Sequence, residues 1–371
     1  MDQNNVNIKE EFEKAKTYWR EKLSGDITDL DFPRDFEQTG EYKEGRYTVP
    51  VSAAVREKLM ALSKGKELLL YVVLFSAFKV LLQKYTRQPD IAVAVPMYTG
   101  GGDSGTGRVG RGVILARNQL DENMSFKELL IQVKKTVIEG FENQHYLDDS
   151  ILDLLELDIP EDVWSRFVFV SGNLHDPRLI SHITDSPRNF MTVTVTKTGD
   201  AVEATIRYNA AIFTHDTVTR IAGHYHRILE HLTTGIDIKL KDMFILSPEE
   251  KEQLIVQFNR TEVPYPRDST ISQLFSRQAR ETPQHIAARY EGQELTYEEL
   301  HRKSNQLARC LRQKGIGRDS VVGLLIAGGL DTVIAIFGVL NAGGAYLPID
   351  PAYPDERVKY MINDSRINLL V

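Results

Sequence analysis

Between Val321 and Val371 the sequence alternates strand and helix with short connections, and this order leaves few folds open. Val321–Ala327, Ala345–Ile349 and Ile367–Val371 are apolar runs of strand length, while 331–340 and 354–362 have helical spacing. Strands joined through helices pair in parallel, which predicts the start of a doubly wound sheet with helices on both faces. Leu295-Thr296-Tyr-Glu-Glu299 just upstream carries a capping box, whose Thr and Glu side chains satisfy free amides of a first turn, and the helix it opens closes at Gly315.

The first 240 residues mix helices and strands in another pattern. Ser125-Phe-Lys-Glu128 is a second capping box, followed by Phe126, Leu129, Leu130, Val133, Val137 and Phe141 at helical spacing. Val218, Ile221, Ala222, Tyr225, Ile228, Leu229 and Leu232 form one apolar stripe along a helix from 216 to 232. Segments 91–97, 167–171, 191–197 and 202–208 are rich in Val, Ile, Phe and Thr and predict strands, the last two joined as a hairpin through Thr198-Gly199-Asp200. Ser247-Pro-Glu-Glu250 opens a short helix, and Val263-Pro-Tyr-Pro-Arg267 is held extended by its prolines. These breaks predict domains at 1–243 and 269–371 with a linker at 244–268.

With 371 residues, 42% of them hydrophobic, the chain is long enough for two or three cores. Its net charge of -7 is spread over interspersed acids and bases without a basic tract, which gives no electrostatic reason to expect nucleic acid. The longest apolar run, Leu68 to Leu82, falls short of the ~18 residues of a membrane span and is broken by Ser76 and Lys79, so it is read as a core helix. Met-Asp-Gln-Asn-Asn at the start is no signal peptide. Cys310, the lone cysteine, is placed on the apolar side of its helix beside Leu307 and Leu311, and the expected setting is a reduced cytoplasm.

Candidate chemistry is sparse. Gly105-Thr-Gly107-Arg-Val-Gly110 matches a dinucleotide loop, but extended chain follows it where a helix is needed. His145-Tyr-Leu-Asp-Asp149 matches HxxxD, the pattern of acyltransferases that use a histidine base, with Ser150 in place of glycine; a cap or a surface position is the preferred reading. His224, His226 and His231 share a helix, yet 224 and 226 point in different directions, so no metal site is expected. A GxxxxGK[ST] loop, a GxSxG elbow and a zinc pattern are absent from the sequence.

Two motifs go further than physics alone. Leu295-Thr-Tyr-Glu-Glu-Leu300 and Leu340-Asn-Ala-Gly-Gly-Ala-Tyr-Leu-Pro-Ile-Asp350, followed by Pro351 and Tyr353-Pro354, resemble the first two core motifs of amino-acid adenylation domains of nonribosomal peptide synthetases. Asn341 stands where the second motif usually has lysine. Leu246-Ser-Pro-Glu-Glu and Phe258-Asn-Arg-Thr261 resemble the junction from a condensation into an adenylation domain. Upstream, Ala15-Lys-Thr-Tyr-Trp19, Lys84-Tyr-Thr-Arg-Gln-Pro-Asp-Ile91 and Tyr208-Asn-Ala resemble the second half of a condensation domain, while Gly112–Ala116 and Asn143-Gln-His-Tyr146 keep traces of two later motifs.

The resemblance implies a chloramphenicol-acetyltransferase-like lobe followed by the parallel sheet of an acyl-adenylate-forming ligase. It also implies that the HHxxxDG motif, the phosphate loop and the catalytic lysine lie outside these 371 residues, so no catalytic, cofactor-binding or metal residue is expected among them. For the parent protein it implies an initiation module that uses ATP, magnesium and an amino acid, and that works with phosphopantetheine carrier domains and downstream modules. On this expectation the chain begins naturally and Val371 is an artificial end, leaving 321–371 prone to aggregate in isolation. The alternatives are a non-catalytic docking module for a partner synthetase, and a working acyltransferase with His145 as base.

Overall fold

The computed structural model describes residues 2–27, 29–98, 112–144, 147, 149–157, 159–175, 180–367 and 369–371, without the side chains of 2–9 and 149–151. The chain divides into two compact units, Met1–Arg260 and Thr261–Val371.

The first unit begins with α1 (Asp2–Leu23), β1 (Glu44–Val49), α2 (Ala53–Ser63), α3 (Glu67–Thr86), β2 (Asp90–Pro96), β3 (Val113–Gln119) and α4 (Phe126–Glu142). It continues through α5 (Asp149–Leu154), β4 (Phe167–Ser171), α6 (Ser181–Thr184), β5 (Met191–Thr198), β6 (Ala201–Asn209), α7 (His215–Thr234) and α8 (Pro248–Glu252). Its six strands form one mixed sheet in the order β1-β6-β5-β4-β2-β3. β2, β4 and β5 run parallel, and β3, β6 and β1 pair antiparallel. The predicted hairpin is there: Thr198 pairs with Ala201, and the turn needs the positive φ of Gly199.

α3 explains the long apolar run. It is buried from Leu70 to Gln83, which an all-round apolar helix requires, because it lies between the sheet and helices α2, α4 and α7. Phe75 and Phe78 stack on Phe169 of β4 at 4.9 and 5.5 Å between centroids. Truncating such a ring to alanine costs about 3–5 kcal/mol. α4 is fixed at its start by the Ser125–Glu128 capping box, and α7 buries the apolar stripe read from the sequence together with His224. Val113–Ala116, part of the stretch read only as extended chain, lie in β3, which pairs with β2 along its whole length.

The second unit holds α9 (Ile271–Glu281), β7 (Ile286–Tyr290), β8 (Gln293–Thr296), α10 (Tyr297–Gln313), β9 (Val321–Leu325), α11 (Leu330–Ala342), β10 (Ala345–Ile349), α12 (Asp355–Ser365) and β11 (Leu369–Leu370). β10, β9 and β11 form a parallel sheet in that order, as the alternation predicted. Right-handed crossovers that leave β9 one way and return over it the other way put α11 and α12 on opposite faces. Pro348 pairs with Leu324 inside β10, where proline is tolerated because β10 is an edge strand. The apolar run at the end of the sequence is only partly buried: Leu370 is 42% exposed and Val371 37%. The expected place of the cysteine is corrected. Cys310 is exposed, because α10 turns Leu300, Ser304, Ala308 and Leu311 inward and carries residue 310 to the outer face.

Candidate functional site

In open sheets with parallel strands, ligands collect beyond the carboxyl ends of those strands. In the first unit that edge is made by Met97 and Tyr98 after β2, Ser171 to His175 after β4, and Thr196 and Lys197 in β5. α4 reaches the same place, where Gln144 accepts from the Tyr98 amide at 2.7 Å and donates to its carbonyl at 3.0 Å. Asn143 and Gln144, which belong to a motif trace, therefore have structural partners, and the Asn143 carbonyl also accepts from the Trp19 indole. His145, Tyr146 and Asp148 lie outside the described residues, as does the Gly105–Gly110 loop.

His175 is a strongly perturbed group at this edge. Its Nδ1 accepts from the Ser171 amide at 3.0 Å, so the neutral ring carries its proton on Nε2, which finds no partner among the described residues. Tyr71 and Phe141 pack edge-on against the ring, and burial drives its pKa down to about 3. The crevice beside it, between the start of α3 and the ends of β4 and β5, encloses about 10 Å³, room for one water. That crevice has no room for a substrate.

Lys79 is another buried titratable group. From the middle of α3 its ammonium donates to the carbonyls of Ile91 at 3.1 Å and Ala116 at 2.6 Å, and it lies 4.7 Å from the Phe75 ring centre. Burial lowers its pKa to about 7 against the opposing charge of Asp90. Sequence reading met Lys79 only as an interruption and missed His175; the lone lysine inside an apolar run was the available signal for the first, and nothing local marked the second.

The three helix histidines do not converge, and no group of metal-binding side chains occurs among the described residues. His226 faces Glu230 at 3.4 Å. His224 and His231, seven residues apart on one face of α7, both reach the segment that leaves the first unit: His224 Nε2 lies 3.1 Å from both Glu250 oxygens, and His231 Nε2 lies 3.0 Å from the Phe244 carbonyl.

In the second unit the motif residues are structural. Thr296 and Glu299 close a capping box, and Gly343 takes the left-handed conformation that ends α11. Asn341, the departure from the motif, donates to Asn305 Oδ1 at 3.1 Å and so ties α11 to α10. A cleft of about 370 Å³ opens at the carboxyl ends of β9 and β10, lined by Leu324, Ile326, Gly328, Tyr346 and Asp350 among others. Asp350 is the charged group in that lining, and an acid repels phosphate. The lining offers the phosphates of ATP no cationic side chain.

Comparison with known proteins agrees with this division. The condensation domain family matches residues 1–255, and the AMP-binding enzyme family matches 275–371. Gramicidin S synthase 2 of Brevibacillus brevis is 32% identical over 98% of the chain, bacitracin synthase 2 of Bacillus licheniformis 32% over 100%, and surfactin synthase subunit 1 of Bacillus subtilis 31% over 98%. The chain spans 8%, 15% and 10% of the length of these three. The structure of holo-AB3403, a four-domain nonribosomal peptide synthetase bound to AMP and glycine, superposes with a TM-score of 0.67 at 19% identity, over 96% of this chain and 29% of that one. With more than half of its residues matched by one family, this chain belongs to the condensation domains of nonribosomal peptide synthetases, and it runs on into the opening of an AMP-binding domain.

Proposed function

We propose that the parent of this chain activates an amino acid with ATP and magnesium as its aminoacyl-AMP and loads it on a phosphopantetheine carrier for secondary-metabolite synthesis, while the 371-residue chain itself does neither. The observation that carries this is the order of domains in one polypeptide, condensation at 1–255 and AMP-binding at 275–371. On this reading 1–243 is the acetyltransferase-like lobe, 244–268 the connection and 269–371 the adenylation start. Its partners are carrier domains and the neighbouring modules of the same synthetase, and its setting is the cytoplasm. The one described helix apolar and long enough to cross a membrane, α3, is a core element of the lobe.

Inactivity of the chain follows from what the residues offer. Its nine histidines include no adjacent pair, its cleft in the second unit presents an acid where phosphates need cations, and its sequence has no phosphate loop. No residue is assigned a catalytic, cofactor-binding or metal role. The test is ATP–pyrophosphate exchange with the purified chain and each of the common amino acids. Exchange at background is expected; amino-acid-dependent exchange sinks the claim of inactivity.

A further inference from the structure

α8 is five residues long, too short to persist on its own hydrogen bonds, and none of its residues is buried. The π-helical turn Gln253–Gln257 that follows is exposed throughout. Burial of its own side chains therefore does not hold this end of the first unit in place.

A chain of polar groups does reach it. The carboxylate of Glu250 can only accept, so the Nε2 of His224, 3.1 Å from each of its oxygens, must donate. In the neutral ring Nδ1 is then an acceptor, and the Tyr85 hydroxyl, 2.7 Å away in the last turn of α3, donates to it. Tyr85 is in turn held by stacking on Phe32 at 4.8 Å. Glu250 uses the same carboxylate to accept from the Ser247 amide at 2.8 Å, closing the capping box of α8. Three elements, α3, α7 and α8, are thus joined through one buried imidazole.

We propose that Tyr85, His224 and Glu250 form a latch that fastens α8 to the lobe, with His224 as its positioning residue. The direction in which the chain leaves the lobe is then set from α3 through α7. That this exit leads from a condensation to an adenylation domain rests on the reading above; the latch itself does not.

Hydrogen exchange of the full chain, read by mass spectrometry, tests it. Tyr85→Phe keeps the ring and its stack but removes the hydroxyl, two links away from α8. It should speed exchange of the amides at 250–258 by roughly fivefold, the scale of one neutral hydrogen bond. His224→Phe should do at least as much, while α3, α7 and the sheet keep their wild-type rates. Glu250→Gln, whose amide oxygen still accepts from Nε2, should stay near wild type where Glu250→Ala does not. Wild-type rates at 250–258 in both Tyr85→Phe and His224→Phe overturn the latch, as does a uniform acceleration over the whole first unit or an α8 already unprotected in the wild type. None of these readouts involves catalysis, so their failure leaves the synthetase assignment standing.

Discussion

Lys79 enters the core with its nitrogen still bonded to two strand carbonyls, and the pH response of the first unit follows from that. In the unfolded chain a lysine holds its proton up to about pH 10.4, whereas Lys79 in the fold releases it near 7. Between those values the unfolded chain binds more protons, so stability rises with pH from about 7 towards 10. His175 acts in the acid range. Its folded pKa of about 3 lies below the ordinary value near 6.5, so its contribution is whole above 6.5 and is lost as pH falls towards 3. Urea titrations should therefore give a midpoint that climbs between pH 7 and 9.5 in the wild type and stays flat in Lys79→Met; equal slopes would refute the assignment. Neither role was legible in the sequence. The carbonyls that cradle Lys79 come from residues 91 and 116, and a local pattern cannot show which strands a helix side chain will meet. Cys310 was misread for a related reason: Leu307 and Leu311 flank it in sequence, yet buried Ala308 and Leu311 define the inward face.

Helix α11 approaches α10 closely because of one glycine. A Cβ on Gly338 would stand 2.6 Å from Leu307 Cδ2, so Gly338→Val forces the helices apart. Overpacking of this kind costs about 1–3 kcal/mol. The expected result is a lower melting point for the second unit with the first unchanged, followed by residue-resolved exchange over 297–342; an unaltered second unit would show that the helices separate without cost. At this scale the sequence was informative wherever the signal was local. The capping boxes read at Ser125 and Thr296 both form, and the short helix read at Ser247 starts there with a capping box of its own, since these are short-range chemistry. The β7–β8 hairpin escaped notice because its turn places Glu291 as well as Gly292 at positive φ, and glutamate there does not announce itself as Asn-Gly does.

The molecule as a whole has separate cores. The first unit buries one continuous cluster from Trp19 to Met243, and the second buries two small ones, around Val322 and Val339 and around Phe275 and Leu300. Residues 1–260 expressed alone should unfold in a single cooperative transition by near-ultraviolet circular dichroism; a non-cooperative melt would mean that this core depends on the rest. The sequence showed where the pattern changes between the units, and the family resemblance carried the rest. It could not show the strand order of the larger sheet, in which β1 pairs with β6 across some 160 residues. The smaller sheet has a consequence for concentrated solutions. β10 lies at one end of it, and Pro348 has no N–H to offer an incoming strand. That gap blocks continuous pairing along β10 and acts as a gatekeeper against edge-to-edge assembly on that side.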